Sequence, residues 1–268
     1  MSDRTVQLSK EIRKESLKMV FNARASHIGG ALSMADLLAV LYEEILNLSP
    51  ENVTDENRDR FLLSKGHACT GLYAVLALKK FISLNDLKNY SADDSLLLSH
   101  ASHKVNGVEL STGSLGHALP VACGIALAAK RKNKTFRIYC VLSDGELDEG
   151  SNWEAILFAP QHKLDNLTVI VDYNKIQSFG SVKEVLDLHP LDKKFESFNW
   201  NVIQIDGHDH DQIKNAFLTA GNNKIYPTVI IANTVKGKGV SFMENDLLWH
   251  YRPPSEEQLE EALKEISS

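Results

Sequence analysis

Apolar residues recur at helical spacing over residues 5–24, where Val6, Ile12, Leu17, Met19, Val20 and Phe21 stand among many charges, and this predicts an amphipathic helix. The stretch SHIGGA that follows reads as a loop. SMADLLAVLYEEILN (33–47) reads as a second helix, with Ser33 as its N-cap and Asp36 at the capping-box position. RFLLS (60–64) predicts a short strand that runs through KGH into a helix over 68–82. Residues 100–116, rich in Gly, Ser and His, predict a long functional loop. A helix begins near His117 and carries Pro120 in its first turn, where proline is tolerated. From there strand and helix alternate, with strands over 137–143, 167–173, 200–206 and 227–235, helices over 151–162 and 210–220, and helices at the end of the chain. The later strands are near-continuous Val, Ile and Leu runs, the pattern of a sheet covered on both faces. The alternation predicts an α/β fold, a mostly parallel sheet flanked by helices on both faces.

Composition narrows the class. The chain has 268 residues, 43% hydrophobic and 24% charged, as in ordinary soluble globular proteins, and it has no repeat or Pro/Gly-rich linker, so one domain over 1–268 is the simpler reading. A net charge of −6 with both signs interspersed argues against a nucleic-acid or acidic-membrane partner. No apolar run approaches the roughly 20 residues needed to cross a bilayer. The polar start, MSDRTVQLSKEIRKES, has no secretory h-region. Cys69, Cys123 and Cys140 form no CxxC pair and fit reduced, buried thiols of a cytoplasmic protein.

Candidate chemistry sits at the strand ends. One apolar run ends in Ser143-Asp144-Gly145, and the next ends in Asn174, thirty positions after Asp144. In parallel sheets ligands lie outside the carboxyl ends of the strands. A carboxylate and an amide there could share an oxygen-ligated cation, Mg²⁺ or Ca²⁺ rather than zinc, with phosphate oxygens filling its other positions. Gly145 would let backbone approach a phosphate, and a helix beginning near Ser151 would aim its positive end the same way. The competing reading is local: Asp-Gly is a common turn pair, and Asp and Asn often cap loops. His27, His67, His100, His117 and His250 each fall at a loop or element end beside small or polar neighbours. A lone histidine is more often structural. A set of them suits proton transfer and hydroxyl recognition, and none has zinc-ligand spacing. His208 and His210, in DGHDHDQ, read as an exposed cap before the helix at 210–220.

Several motifs together resemble one family. SDGELDEG and VDYNKIQ resemble the thiamine-diphosphate signature, with Ser143 where the family has its first glycine. SHIGGALSMADLLAVLY, NRDRFLLSKGHACTGLYAVL, GVELSTGSLGHALPVACGIALA, IDGHDHDQI and NTVKGKGVSFMEN resemble transketolase, in the family's order and over most of residues 15–250. The resemblance implies a diphosphate-binding domain, and it stops there. The pyrimidine-binding and C-terminal domains of a full transketolase have no counterpart. The chain is therefore similar to the amino-terminal subunit of a split transketolase, whose carboxy-terminal subunit would carry the pyrimidine-binding domain, in an α₂β₂ heterotetramer.

That resemblance implies roles by position. Asp144, Asn174 and the backbone carbonyl of Ile176 would ligate Mg²⁺, or Ca²⁺ or Mn²⁺ in its place. Gly145 and His67 would lie by the diphosphate of thiamine diphosphate. Gly113, Ser114, Leu115 and His117 would line the cofactor, although the family often has Gln at the last position. His27, His100 and His250 would face a ketose or sugar-phosphate donor, and Glu149 would join a carboxylate network across the subunit interface. WHYRPP around His250 departs from the family pattern and points to an altered donor or acceptor. The activity implied is transfer of a two-carbon ketol unit from a ketose to an aldose. It would need the partner, because the family's glutamate that protonates the aminopyrimidine lies on the pyrimidine domain. Other thiamine-diphosphate enzymes, of the 1-deoxyxylulose-phosphate-synthase or 2-oxoacid-dehydrogenase kind, share the Asp/Asn pair. A non-catalytic assembly subunit would need neither that pair nor the histidines. A Rossmann nucleotide binder would need a GxGxxG that the chain lacks.

Overall fold

The computed structural model describes residues 3–268. Helix α1 (Asp3–Ala23) is followed by α2 (Ile28–Ser33) and α3 (Ala35–Val40), then strand β1 (Arg60–Leu63) and α4 (Cys69–Leu78). After a long irregular stretch come α5 (Ala118–Arg131), β2 (Ile138–Ser143), α6 (Gly150–Gln161) and β3 (Leu167–Tyr173). The short helices α7 (Val182–Val185) and α8 (Leu191–Ser197) lead to β4 (Asn201–Asp206), α9 (His210–Asn222), β5 (Thr228–Asn233) and α10 (Glu256–Ser267).

The five strands form one sheet in the order β1-β2-β3-β5-β4, and every pairing is parallel. Successive strand residues point to opposite faces, and both faces are covered except at the edge strand β4, where only Ile205 is buried and Gln204 and Asp206 are exposed. Phe61, Leu63, Tyr139, Val141, Ile170 and Ile230 pack with side chains of α1, α3, α4 and α9. Leu62, Cys140, Leu142, Val169, Val171 and Ile231 pack on the other side with α5, α6 and α8. Burying an aliphatic side chain of this size contributes about 1.5–3 kcal/mol, which is why these strands read as unbroken apolar runs. A third core, with Leu17, Ile28, Trp249 and Ile266, ties α1 and α2 to the C-terminal segment. The cysteines are free and buried, as expected. Among the described residues no helix is long and apolar enough to cross a membrane.

The main departure lies at residues 27–47. The expected loop SHIGGA is mostly helix, and the expected second helix is split, with a short α3 followed by a widened turn over 41–45. Ser33 is the last residue of α2 and not an N-cap; its hydroxyl donates to Asp172 Oδ2 at 2.5 Å. A buried lysine explains the first glycine inside α2. A Cβ on Gly29 would stand 3.0 Å from Lys236 Cγ, and Lys65 Nζ donates to the Gly30 carbonyl at 2.8 Å.

Candidate active site

The register pairs Ser143 of β2 with Asp172 of β3, so Asp144 and Asn174 leave neighbouring strand tips, as their spacing predicts. Both are buried. They open into a cavity of about 230 Å³ whose wall also includes His27, Lys65, His67, His100, Lys236 and His250. Larger hollows exist, one of about 590 Å³ beside Asp86, Asp93 and Asp94, but among the described residues only this one combines two lysines, four histidines and a strand-tip carboxylate.

The two buried aspartates differ in their partners. Asp172 accepts from Lys65 Nζ and Thr234 Oγ1 as well as Ser33, and is closed off from solvent. Burial alone would raise its pKa, but the Lys65 ammonium and these hydrogen bonds outweigh it and hold the carboxyl below its usual value. Asp144 accepts only backbone N–H groups, from Gly145 at 2.8 Å and Lys175 at 2.5 Å. Among the described residues no cation lies within ion-pair distance of it. Burial, then the charge of Asp172, push it up to about 6. Asn174 is oriented by its neighbours: Oδ1 accepts from Ile176 N at 3.2 Å, and Nδ2 donates to Asp172 at 3.4 Å. The Ile176 carbonyl accepts from Lys236 Nζ at 2.9 Å.

Four histidines gather on the other wall. The His27 ring centroid lies 5.3 Å from His67, 6.1 Å from His100 and 4.8 Å from His250. Burial, reinforced by nearby positive groups, lowers His27 to about 4 and His250 to about 3, and takes His67 well below its ordinary value. These three are neutral at neutral pH, each able to donate and to accept. Lys236 Nζ donates to His250 Nδ1 at 3.2 Å, which leaves that ring's proton on Nε2. Burial also lowers Lys236 to about 8. His27 and Lys175 hold φ of 71° and 70° without being glycine, a local strain of roughly 1–3 kcal/mol each that tends to persist where function fixes geometry.

Comparison with known proteins identifies the frame. Residues 4–266 match the family described as transketolase, thiamine diphosphate binding domain. The chain belongs to the transketolase family. One of the subunits of the apulose-4-phosphate transketolase of Phocaeicola vulgatus is 38% identical over 268 residues, covering 100% of this chain and 95% of that protein. The 6-deoxy-6-sulfo-D-fructose transketolase subunit SqwG of a Clostridium species is 38% identical over 270 residues, covering 99% of this chain and 98% of that one. The crystal structure of Campylobacter jejuni transketolase superposes with a TM-score of 0.93 at 34% identity, covering 100% of this chain and 43% of that chain. The protein thus spans nearly the whole of the subunit-type relatives and less than half of that single-chain transketolase.

Of the positions singled out in the sequence, His27, His67, His100, Gly113, Leu115, Asp144, Gly145, Asn174, Ile176 and His250 line the cavity of this transketolase chain. Ser114, His117 and Glu149 do not; they stand outside it. Gly116, at φ +82°, turns the chain outward after Leu115, and His117 Nδ1 is then held by the Leu115 carbonyl at 2.9 Å. The buried carboxylate of that region is Glu146, which accepts from Ser64 Oγ, Gly116 N and Ser143 N. Sequence reasoning missed Lys65, Asp172, Lys236 and Gln177, though a Lys and an Asp at the ends of otherwise apolar strands were a visible signal of a buried pair. His208 and His210 are not an exposed cap: both bind the buried Asp36, and the cap of α9 is Asp209.

A cation and a diphosphate fit these residues. Asp144 is a buried carboxylate lacking a cation partner, and Asn174 Oδ1 and the Ile176 carbonyl complete an all-oxygen donor set suited to a hard divalent ion. Among the described residues no cluster of three His, Cys, Asp or Glu could hold a metal by itself, so remaining positions would fall to water and phosphate oxygens. The buried Lys236 ammonium, which makes no ion pair among the described residues, supplies positive charge for an anionic tail, whereas the charge of Lys65 is balanced by Asp172.

Proposed function

We propose that this chain is the thiamine-diphosphate-binding subunit of a two-chain transketolase that moves a two-carbon ketol unit from a ketose to an aldose. The observation that carries the reading is the convergence of an unpaired buried carboxylate, two lysines and four histidines in one cavity at adjacent strand tips.

In this reading Asp144, Asn174 and the Ile176 carbonyl would hold Mg²⁺, and Lys236 would offset the charge of the diphosphate, with Lys65 at the cavity wall paired to Asp172. When bound, thiamine diphosphate supplies the carbon nucleophile and electron sink for breaking and forming the bond next to a ketose carbonyl. The protein contributes placement and proton handling. His27, His100 and His250 donate to and accept from sugar hydroxyls, and His67 sits behind them toward Lys65. General acid–base help of this kind is worth roughly 10²–10⁴-fold. Glu149, at the start of α6 and outside the cavity, is assigned to the subunit face.

Size as well as kinship supports a partner. The cavity, at about 230 Å³, is smaller than the ~300–1,000 Å³ typical of small-molecule sites, so it accommodates one end of a cofactor and leaves the rest to a second chain. That chain would carry the pyrimidine-binding domain. Because the named relatives act on apulose-4-phosphate and 6-deoxy-6-sulfo-D-fructose, we assign the donor to polyhydroxylated ketoses with an anionic terminus. The test is reconstitution. The chain alone should give no ketol transfer, and the pair with its pyrimidine-domain partner should transfer from a ketose phosphate or sulfonate. Robust turnover by the chain alone, or transfer only from pyruvate by the pair, would overturn the assignment.

A further inference from the structure

The motif Asp206-Gly207-His208-Asp209-His210 lies outside the cavity, yet it reaches back to it. Asp36 on α3 is buried, with every carboxylate position used. Its Oδ1 accepts from Arg13 Nη1 at 3.0 Å and contacts His210 Nε2 at 3.1 Å; its Oδ2 accepts from Arg13 Nη2 at 2.6 Å and contacts His208 Nδ1 at 2.7 Å. Each of two partners carries a second bond onward. His208 Nε2 accepts from the Val235 N–H at 2.9 Å, which places the ring proton on Nδ1, donated to Asp36. Arg13 Nε donates to the Lys238 carbonyl at 3.0 Å. Val235 and Lys238 bracket Lys236, whose ammonium stands in the cavity at the Ile176 carbonyl and His250. The Gly237 N–H donates to the Gly29 carbonyl at 3.0 Å, so the short segment is held from three sides.

We infer that Asp36, through His208 and Arg13, forms a positioning device that fixes the backbone on both sides of Lys236 and so aims its ammonium into the cavity. Lysine is a rotamer-rich side chain, and a backbone pinned at both flanks reduces the space its side chain must search. The inference rests on reading the cavity as the cofactor diphosphate site.

The experiment uses the chain reconstituted with its partner. Thiamine diphosphate affinity is measured by calorimetry at saturating Mg²⁺, together with donor KM, kcat and thermal unfolding. His208→Leu removes the acceptor for Val235 and should weaken thiamine diphosphate about tenfold, the scale of losses when an outer-shell orienting group is removed. In a Lys236→Met background the same change should cost less than about twofold, because its route of action is gone. His208→Gln, whose amide oxygen can take the Val235 N–H, should stay within about twofold of wild type. Arg13→Lys, which keeps a positive charge beside Asp36 but loses the guanidinium bond to Lys238, should show the same dependence on Lys236 and serves if His208→Leu does not fold. Losses that add in the double variant, an unaffected His208→Leu, or a His208→Gln as weak as leucine would each overturn the inference. Wild-type protein that binds no thiamine diphosphate would instead remove the reading of the cavity, and this inference with it.

Discussion

Asp144 and Asp172 stand at the ends of adjacent strands and are both buried, but one carboxylate has a cation beside it and the other does not, and opposite consequences follow. Lys65→Met strips Asp172 of its ammonium and leaves an uncompensated buried charge. The expected cost is about 3–5 kcal/mol in denaturant unfolding. Asp144→Asn removes a carboxylate whose ionised form the apo chain disfavours, so it should leave thermal stability in mildly alkaline buffer unchanged or raised while cation-dependent cofactor binding is lost. The sign with pH agrees. Asp144 is raised from an ordinary 3.8 to about 6, so the folded chain holds its proton longer than the unfolded one, and Asp144 lowers apo stability as pH rises between those values. Cofactor binding needs the ionised form, and Mg²⁺-dependent affinity should fall as pH drops below about 6. The position of Asp144 and Asn174 was legible because apolar runs end abruptly at polar residues. The role of Asp36 was not: its histidine partners lie more than 170 positions away, and a histidine just before a helix reads locally as a solvent-facing cap.

At the scale of elements, the site is a set of loops held against a rigid sheet. Gly66, where β1 passes toward α4, shows how little slack there is: a Cβ there would overlap the Thr112 carbonyl oxygen. Gly66→Ala should cost about 1–3 kcal/mol in chemical denaturation, the range for overpacking a filled site, and should displace the 100–116 loop that carries His100. The histidines tie these loops to pH. Burial sets the folded pKa values of His27, His67 and His250 below the ordinary 6.5, with His27 at about 4 and His250 at about 3. Their contribution is whole above 6.5 and is lost as pH falls toward those values, because the unfolded chain takes up protons the folded one refuses. Thermal unfolding should therefore shift downward between pH 6.5 and about 4, and His250→Asn should flatten that shift. The central strands β2, β3 and β5 were readable from sequence because two-sided burial demands continuous apolar residues. Helix α2 was not, since Ile28-Gly29-Gly30 reads as a loop; Gly29 serves the close approach of Lys236, a contact that no local pattern encodes.

At the scale of the whole molecule, a sheet with helices on both faces accounts for all five strands, and the cavity at their carboxyl ends is lined by two lysines and four histidines and has only a small volume. The alternation of strands and helices made the parallel sheet readable. The proposed division of the enzyme between two chains rests on the family's domain order and on the subunit-type relatives, since nothing in a chain's own periodicity names a partner. The account turns on Asp144 anchoring a cation and, through it, a diphosphate. Titrating thiamine diphosphate with Mg²⁺ into the reconstituted pair tests this most directly. Wild type should bind one equivalent per chain only when Mg²⁺ is present, and Asp144→Ala should abolish that binding while the pair stays assembled. Equal binding by wild type and Asp144→Ala, or binding by wild type that ignores the metal, would contradict it.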